Sequence, residues 1–354
     1  MKKILLILLV LSISLGAMTS CSPPNTVSTN TEYHYVMIGG FEDPAENTLY
    51  GAAWRGIKKL QSETFDGSKN DGKETIKYYP LHNFSGNDTL SYADARTAAA
   101  KKQLELAAAG KAQVIVIPDY NHTAAYKACV GEKAFKDMAY VLFSYPSTEE
   151  ATGAATGKTY VLVLDTTELG YLIGTYAYQN GYKNLGLVAT SGAEGDSLLA
   201  GLAQGLEFAA KDAKDASLSY VNVEPGAIAE NINAAVEKLS SCDAVLSSAD
   251  IEKTVSDVVK NSGGKFISAN GSADADMTFG FDLEIIEDAV VKAIKEARLL
   301  SSTYVYSLGS SSNAFYRLEN GEKTNIALSD VTDELFDKIT DSVTFEGVSV
   351  NAIQ

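Results

Sequence analysis

Residues 185–213 have the sequence LGLVATSGAEGDSLLAGLAQGLEFAAKDA: a short apolar run, a small polar loop and a longer segment rich in Leu and Ala. The run at 185–189 predicts a buried strand, and the spacing of the later apolar residues predicts a helix over 198–213. A short strand followed by a longer helix is the unit of parallel sheets with right-handed crossovers. This stretch therefore predicts an α/β fold.

The same alternation occurs in two blocks, separated by a Gly- and Thr-rich stretch at 148–157. Strands are predicted at 35–39, 76–81, 114–117, 139–143, 160–164, 185–189, 218–223, 244–246, 265–268, 304–308 and 314–318. Helices are predicted at 48–63, 91–109, 124–135, 168–179, 198–213, 228–239, 251–262 and 284–299. These two blocks predict two doubly wound, parallel-sheet lobes joined by a hinge.

The predicted lobes place a ligand cleft between them, because ligands of such sheets lie beyond the carboxyl ends of the strands. Residues 34–147 and about 270–300 are predicted to form the first lobe. Residues 148–269 and about 301–330 are predicted to form the second lobe, and residues 331–354 a C-terminal extension. Every loop that directly follows a strand is therefore a candidate for ligand binding.

The composition fits two globular domains and excludes several partners. The chain has 354 residues, of which 45% are hydrophobic and only 7 are Pro, so it is not a disordered or fibrous protein. Its formal charge of −16 argues against nucleic acid, since phosphate contacts need clustered Lys and Arg. Three His and three Cys leave little room for a zinc site or a disulfide framework. We predict no metal and no cofactor.

The N-terminus predicts export and lipid anchoring. Lys2 and Lys3 precede an apolar or small run at 4–17 and then Met18-Thr19-Ser20-Cys21, which is typical of a bacterial lipoprotein signal peptide over 1–20 with lipidation at Cys21. The alternative is an ordinary signal peptide cleaved near Ala17. Residues 21–33 are rich in Ser, Thr, Pro and Asn and are predicted to be a tether. Cleavage would leave a mature chain with 27 basic and 45 acidic residues, a charge of −18. We predict that this mature chain is anchored by its lipid on the extracytoplasmic face of the cell membrane.

Two loops of the first block offer ligand-binding groups. Phe41, Asp43 and Asn47 follow the first predicted strand, where a Gly-Gly pair permits a sharp turn. Asp119 and Tyr120 follow the strand at 114–117, where a carboxylate accepts hydroxyl hydrogens and a ring stacks on a planar face. The alternative for both loops is an ordinary turn or helix cap with a surface aromatic residue.

The loops of the second block are small and polar. Glu168 and Gly170 open a helix directly after a strand, and Ser191, Asp250 and Asn270 lie in the loops after three later strands. Such loops are typical of a cleft lining, and we treat all five residues as candidates for ligand binding. For Glu168 and Gly170, a well-capped helix packed tightly on its neighbour is an equally good interpretation.

Enzymatic motifs are missing from these loops. The sequence has no GxGxxG after a strand, no GxxxxGK[ST], no GxSxG and no HExxH. The scattered His and Cys residues give no evident nucleophile–base pair. We therefore predict a binding protein and no enzyme.

Four stretches resemble the basic membrane protein family of bacterial lipoproteins: residues 49–57 (LYGAAWRGI), 168–174, 190–192 and 201–209. The resemblance covers roughly residues 33–320. It implies a type I periplasmic-binding fold and a monomeric substrate-binding protein that delivers a nucleoside, above all a purine nucleoside, to an ABC permease in the membrane. It also implies that the segment 47–50, including Tyr50, lies in the cleft with Phe41 and Asp43. Asp119, Glu168, Ser191, Asp250 and Asn270 would lie near the ligand.

Two positions depart from the family pattern. Tyr50 stands where the family usually has Asn, and Glu284 falls near the position of a Lys that helps to hold the ribose. A different ribose contact follows from the second departure. The alternatives to a nucleoside-binding protein are a type I binding protein for a sugar or another small solute, or a surface-anchored hydrolase or adhesin.

Overall fold

A computed structural model describes residues 34–40, 44, 48–64, 76–81, 92–146, 158–211, 213–330 and 348–353. The strands are β1 (Tyr35–Gly39), β2 (Ile76–Pro80), β3 (Val114–Ile117), β4 (Ala139–Ser144), β5 (Thr159–Leu164), β6 (Asn184–Thr190), β7 (Ser217–Val223), β8 (Ala244–Ser247), β9 (Ile267–Ser268), β10 (Met277–Phe281), β11 (Tyr304–Leu308), β12 (Phe315–Glu319), β13 (Glu322–Ile326) and β14 (Ser349–Ala352). The helices are α1 (Leu49–Thr64), α2 (Tyr92–Ala109), α3 (Thr123–Val130), α4 (Thr166–Gln179), α5 (Ala193–Ala210), α6 (Ala229–Lys238), α7 (Glu252–Asn261) and α8 (Leu283–Ala297). The predicted α/β class is confirmed.

The first lobe is built on a six-stranded sheet in the order β11-β5-β4-β3-β1-β2, in which all neighbours are parallel. Successive side chains of β1 point to opposite faces, as a strand requires. Tyr35 and Met37 join the core beneath α1 and α8, whereas Val36 and Ile38 join the core beneath α2 and α3. Helices therefore cover both faces of this sheet, which explains the continuous buried runs of its central strands β1 and β3.

The second lobe carries two four-stranded sheets, β14-β7-β6-β8 and β13-β12-β10-β9. A single parallel bridge between Val245 and Phe266 connects their inner edges. Leu187 of β6 packs in the core beneath α4 and α5, and Val188 packs in the core beneath α6 and α7. The second lobe thus repeats the helix–sheet–helix layers of the first.

The chain passes between the lobes three times, at Asp165, at Asp282 and at the 3-10 turn Ser310–Ser312. Backbone hydrogen bonds connect the crossings. Asp165 N donates to Leu308 O at 3.0 Å, and Asp282 N donates to Ala314 O at 2.6 Å. Three adjacent crossings form a hinge. Because the first and second crossings leave the carboxyl ends of β5 and β10, these ends of the two lobes meet at the cleft.

The lobe boundaries differ from those inferred from the sequence. β5 pairs with β4, and β11 pairs with β5, so residues 159–164 and 304–308 belong to the first sheet. The sequence of a five- or six-residue apolar strand does not indicate which sheet the strand joins. The Gly- and Thr-rich stretch before β5 suggested a boundary between the lobes, but β5 lies in the first sheet. β14, inside the predicted C-terminal extension, pairs with β7 of the second lobe.

Helices α4 and α5 pack unusually closely because glycines replace side chains at their contact. A Cβ on Gly201 or Gly205 would collide with the backbone carbonyl of Thr167 or Tyr171. A Cβ on Gly170 would lie 2.7 Å from Leu198 O. This packing fixes α5, whose first turn faces the cleft, against the helix that leaves the hinge.

Candidate functional site

Asp119 is the centre of the cleft wall on the first lobe. It follows β3 and caps the 3-10 turn Tyr120–His122, with Oδ1 accepting hydrogen bonds from Asn121 N at 2.9 Å and from Asn121 Nδ2 at 3.1 Å. Oδ2 forms an ion pair with Arg96 Nη2 of α2, and His122 Nδ1 lies 3.1 Å from it. The Asp119 side chain is only 4% exposed.

The charge on Asp119 is fixed by these neighbours. Burial alone would raise its pKa, but His122, then Arg96, then a hydrogen bond from the Tyr50 hydroxyl favour the ionised form and outweigh burial. The pKa of Asp119 therefore lies well below its usual range. Since its oxygens already accept from Asn121 and Arg96 and lie beside His122, Asp119 organises the wall and has little capacity left for a ligand.

Three tyrosines complete this wall. Tyr50, on the first turn of α1, lies so close to β1 that a Cβ on Gly39 would be 2.6 Å from its ring, so the glycine makes room for it. Tyr120 and Tyr145 meet edge to face, with ring centroids 5.9 Å apart. Burial and the nearby Asp119 charge raise the pKa of Tyr50, so its hydroxyl stays a donor. The wall thus offers rings and hydroxyl groups around a fixed carboxylate.

The wall on the second lobe carries two carboxylates near the ends of β6 and β8. Glu194, on the first turn of α5, accepts a hydrogen bond from Ala249 N at 2.8 Å on Oε1. Thr190 Oγ1 donates to Asp250 Oδ1 at 2.6 Å, and Thr190 N donates to Ser248 Oγ at 2.9 Å. These bonds connect the two strand-end loops into one surface.

The pKa values of these carboxylates shift in the opposite direction to that of Asp119. Burial, with the nearby Asp250 and Glu252 charges, raises the pKa of Glu194 to about 7. Surrounding protein also partly desolvates Asp250 and raises its pKa, although its side chain keeps access to solvent. Both carboxylates are therefore less readily ionised than free carboxylates.

Tyr145 and Glu194 face each other from the two walls. Burial, together with the nearby Glu194 charge, raises the pKa of Tyr145 well above its ordinary value. Tyr145 follows β4 of the first lobe and Glu194 follows β6 of the second, so the pair lies between the carboxyl ends of the two sheets.

Glu252, at the start of α7, holds the loop that contains Asn270. Asn270 Nδ2 donates to Glu252 Oε2 at 2.6 Å, and Ser268 Oγ donates to Glu252 Oε1 at 2.7 Å. Ser268 Oγ in turn accepts from the backbone N of Asn270 and of Ser272. Glu252 thus positions Asn270 at the edge of the cleft.

A cavity of about 500 Å³ lies beside the hinge, between the start of α8 and strands β12 and β13. Glu284 lines it, together with charged groups that are paired within the protein: Asp282 with Lys323 at 2.5 Å, and Arg55 with Glu287 at 3.0 Å. The cleft residues Tyr50, Tyr120, Tyr145, Asp119, Glu194 and Asp250 do not line this cavity. The cleft between Asp119 and Glu194 is therefore the better candidate for ligand binding.

This arrangement of lobes matches known structures. A solute-binding protein of an ABC transporter system from Aeropyrum pernix K1 superposes with a TM-score of 0.56 at 10% identity, covering 81% of this chain and 76% of that one. The fold is that of the type I periplasmic-binding proteins. GanP, a glucose-galactose binding protein from Geobacillus stearothermophilus, gives a TM-score of 0.52 at 16% identity, covering 85% and 99% of the two chains. The transcription regulator CcpA of Lactococcus lactis gives 0.53 at 14% identity, covering 81% and 98%.

No family model matches the sequence, and no curated protein matches it significantly. At identities of 10 to 16%, the similar structures show the fold alone.

The type I fold brings Tyr50, Asp119, Tyr120 and Asp250 together at the cleft, close to the Thr190–Ser191 loop. Ser191 N is tied to Val223 O at 2.9 Å at the end of β6. Phe41, Asp43, Asn47 and the predicted lipidation site Cys21 lie outside the described residues.

Glu168 and Gly170 are placed in the framework of the fold. Glu168 Oε2 accepts a hydrogen bond from Ser310 N at 2.7 Å and so connects two of the three hinge crossings. Gly170 lies in the close contact between α4 and α5. Their positions match the interpretation of a capped, tightly packed helix.

Sequence reasoning missed Arg96, Tyr145 and Glu194. Tyr145 directly follows β4, and Glu194 lies two residues after the Gly192 that ends the predicted loop, so the strand-end rule could have included both. Arg96 lies within a long helix, where nothing in the local pattern distinguishes it from a surface arginine.

The described residues contain no candidate metal site and no candidate membrane-spanning helix. No group of three or more His, Cys, Asp or Glu among them could hold a metal ion. None of the helices in this part of the chain is long and apolar enough to cross a membrane.

Proposed function

We propose that the chain is an extracytoplasmic solute-binding protein that delivers a small polar solute to an ABC importer. The observation that carries this proposal is the meeting of two unlike walls, with Tyr50, Tyr145 and Asp119 on one lobe and Glu194 and Asp250 on the other. A solute held by both walls would stabilise the closed arrangement of the hinge, and a permease would bind that form.

The N-terminal sequence supports lipid anchoring of this protein. A signal peptide at 1–20 would be removed, Cys21 would carry the lipid, and residues 21–33 would act as the tether. A lipid-anchored monomer would be held near its permease and would not need to associate with a second copy of the chain. Metabolic labelling with a fatty acid tests this part, because Cys21→Ser should abolish the labelling.

A nucleoside is the first candidate ligand. The resemblance to the basic membrane protein family supports it, and the carboxylates of the cleft suit ribose hydroxyls. Glu284, which falls near the position of the family's ribose-binding Lys, lines the cavity beside the hinge. The ribose would therefore be held by other groups, of which Glu194 and Asp250 are the nearest candidates.

A sugar is the second candidate, and the arrangement of the rings favours it. Tyr50, Tyr120 and Tyr145 all belong to the first lobe, and Tyr120 meets Tyr145 edge to face, so these rings do not form a parallel slot for a base. One aromatic surface opposite hydrogen-bonding carboxylates suits a pyranose ring. One similar structure is of a glucose-galactose binding protein.

We favour a binding role over hydrolysis. A hydrolase needs a carboxylate free to react, but Asp119 already accepts from Asn121 and Arg96. Glu194 has the raised pKa of a general acid, but the pKa of the neighbouring Asp250 is raised as well, which does not suit an ionised nucleophile or general base.

Calorimetry and thermal shift with nucleosides, free bases, ribose and hexoses test the proposed function. We expect one class to raise the melting temperature and bind with one-to-one stoichiometry. A nucleoside response without a hexose response selects the first candidate, and the reverse selects the second. No response to any member of the panel would overturn the proposal.

A further inference from the structure

We propose that the amino-terminal edge of the first sheet is a membrane-contact surface, which touches anionic lipid through Leu299, Tyr304 and the basic turns beside them. This surface consists of the turns at 110–113, 131–138 and 298–303, with Lys158 and the start of β11. Its orientation toward the bilayer rests on the proposed lipid anchor. Its affinity for lipid is a property of the folded lobe and requires neither the anchor nor a bound solute.

The first observation is an exposed apolar cluster where the chain passes from α8 into β11. The large apolar side chains that are exposed among the described residues are Ile228, Leu299, Tyr304 and Val305, and three of these four lie within residues 299–305. Leu299 is 84% exposed, and Tyr304 is 43% exposed although its ring packs on Tyr160 with the centroids 4.9 Å apart. Exposed apolar surface concentrated in this way is typical of a contact with a protein or a membrane.

The second observation is the place at which the chain enters the first lobe. β11 is parallel to β5 and, through β4 and β3, to β1, so Tyr304 and Tyr35 begin their strands at the same edge of the sheet. His34 directly precedes β1, and its carbonyl accepts hydrogen bonds from Gln113 N at 3.1 Å and Val114 N at 3.0 Å. Four strand spacings, about 20 Å, separate β1 from β11. The predicted tether therefore joins the sheet at the edge that carries the apolar cluster.

The length of the predicted tether allows this edge to lie on the bilayer. Residues 21–33 are thirteen residues, which span about 45 Å when fully extended and about 20 Å on average as a flexible coil. A lipid on Cys21 would therefore keep the amino-terminal edge close to the lipid headgroups. At such a high local concentration of lipid, even a weak contact is populated.

The third observation is the charge of this edge. The described part of the surface carries seven exposed charged residues, of which five are basic, although the mature chain has 27 basic and 45 acidic residues. They are Lys111, Lys133, Lys136, Lys158 and Arg298, against Glu132 and Asp137. A chain with a charge of −18 is repelled by an anionic bilayer, and a basic edge turned toward the lipid offsets that repulsion where the two meet.

The chemistry of the cluster favours lipid over a protein partner. Arg298 and Leu299 are adjacent on the turn, and Tyr304 follows at the start of β11. At a membrane interface, an apolar side chain enters the acyl boundary, a Tyr ring lies at the level of the headgroups, and Arg contacts phosphate. Basic residues also stabilise the helix ends that they follow, but that role does not account for an exposed Leu299 and Tyr304.

Vesicle flotation of the mature chain with Cys21→Ser tests the surface without the anchor. We expect binding to vesicles of phosphatidylglycerol and phosphatidylethanolamine that weakens in high salt, and binding to phosphatidylcholine vesicles that is weaker by about fivefold or more. Leu299→Ser/Tyr304→Ser and, separately, Lys133→Glu/Arg298→Glu should each lower the binding about fivefold or more. Equal binding to both kinds of vesicle, or binding that these substitutions leave unchanged, would overturn the inference.

Matched controls are available on the second lobe. Ile228→Ser removes an exposed apolar side chain, and Lys238→Glu/Lys260→Glu reverses two exposed charges on α6 and α7. Both should bind vesicles as the unsubstituted chain does. Since every substituted side chain is exposed, urea unfolding should show that all of these variants stay folded.

Hydrogen exchange decides the case in which the unanchored chain binds too weakly to float. The lipidated chain in phosphatidylglycerol and phosphatidylethanolamine vesicles is compared with the Cys21→Ser chain in solution. Slower exchange over residues 298–305, with unchanged exchange over residues 224–231, supports the surface, and equal exchange over 298–305 overturns it. If Cys21 carries no lipid in the cell, flotation alone decides. Neither measurement depends on solute binding, so the proposed function is tested separately by the solute panel.

Discussion

The two walls of the cleft shift the pKa values of their carboxylates in opposite directions. On the first lobe, His122, Arg96 and Tyr50 hold the pKa of Asp119 well below its usual range, so this side chain is ionised at neutral pH. On the second lobe, burial and acidic neighbours push the pKa of Glu194 up to about 7. The first wall therefore keeps its negative charge at neutral pH. The charge of the second wall depends on the pH and on how deeply Glu194 is buried.

The two walls should also respond oppositely to pH. Ionised Asp119 contributes stability that is present above its ordinary pKa and is lost only in acid, as the pH falls through its lowered value. Glu194 has a raised pKa, so the folded state binds more protons, and stability is lost as the pH rises towards and through about 7. Four substitutions test this comparison, from the largest expected effect to the smallest.

Arg96→Met should destabilise the first wall, because Arg96 helps to keep Asp119 ionised. It removes the ion pair between Arg96 and the buried Asp119, and breaking a buried pair costs about 3 kcal/mol or more. Urea unfolding at pH 7 measures the loss. The control is Lys101→Met on the same helix, where an exposed pair with Glu132 at 3.4 Å should be worth about 0.5 kcal/mol or less. Equal effects of the two substitutions would contradict the difference between the walls.

Gly201→Ala tests the support of the second wall. The new methyl group would collide with Thr167 O and push α5 away from α4, at a cost of about 1–3 kcal/mol. Thermal unfolding measures it, with Gly131→Ala as control, since a Cβ there meets nothing within 4 Å. A Gly201→Ala chain as stable as the control would show that the two helices can separate freely.

Glu194→Gln should remove the pH response of the second wall. The variant should exceed the wild type in stability at pH 8 by about 1–2 kcal/mol, a figure reduced for partial solvent access, and match it near pH 5. Unfolding curves between pH 5 and 8 provide the measurement. Glu207→Gln on the same helix is the control and should follow the wild-type profile. A wild-type profile for Glu194→Gln as well would remove Glu194 as the titrating group.

Thr190→Val has the smallest expected effect. It removes the 2.6 Å bond to Asp250, worth about 1 kcal/mol, and should raise the pKa of Asp250 further, because this bond favours the ionised form. Unfolding at pH 7 and an NMR titration of Asp250 measure both effects. Thr190→Ser keeps the hydroxyl and should restore them. Failure of the serine variant to do so would mean that shape, rather than this bond, accounts for the loss.

Local periodicity predicted most strands and helices of both lobes, because buried positions are apolar and their spacing along the chain follows the strand or helix repeat. The sheet to which a strand belongs is not recorded there. β5 and β11 pair in the first lobe through contacts between residues far apart in the chain, such as Val161 with Val305. β13, with the sequence EKTNI, is a polar edge strand that carries no apolar pattern at all.

The site was predictable where a residue directly follows a strand. Asp119, Tyr120 and Asp250 were found by that rule, since the end of a parallel strand faces the cleft regardless of the residue's partners. The role of Asp119 was not predictable, because it depends on Arg96, which is 23 positions away on a helix. The placement of Tyr145 opposite Glu194 depends on how the lobes are arranged, which no local pattern describes.

Native mass spectrometry tests the central claim, that a small polar solute binds between the two walls. The mature chain is incubated with a mixture of nucleosides and hexoses, and one-to-one adducts are compared among variants. We predict an adduct with one class of solute that is lost in Glu194→Ala/Asp250→Ala and kept in Glu230→Ala/Glu237→Ala, two exposed acidic residues of α6. No adduct, or an adduct undiminished by the cleft substitutions, would contradict the account.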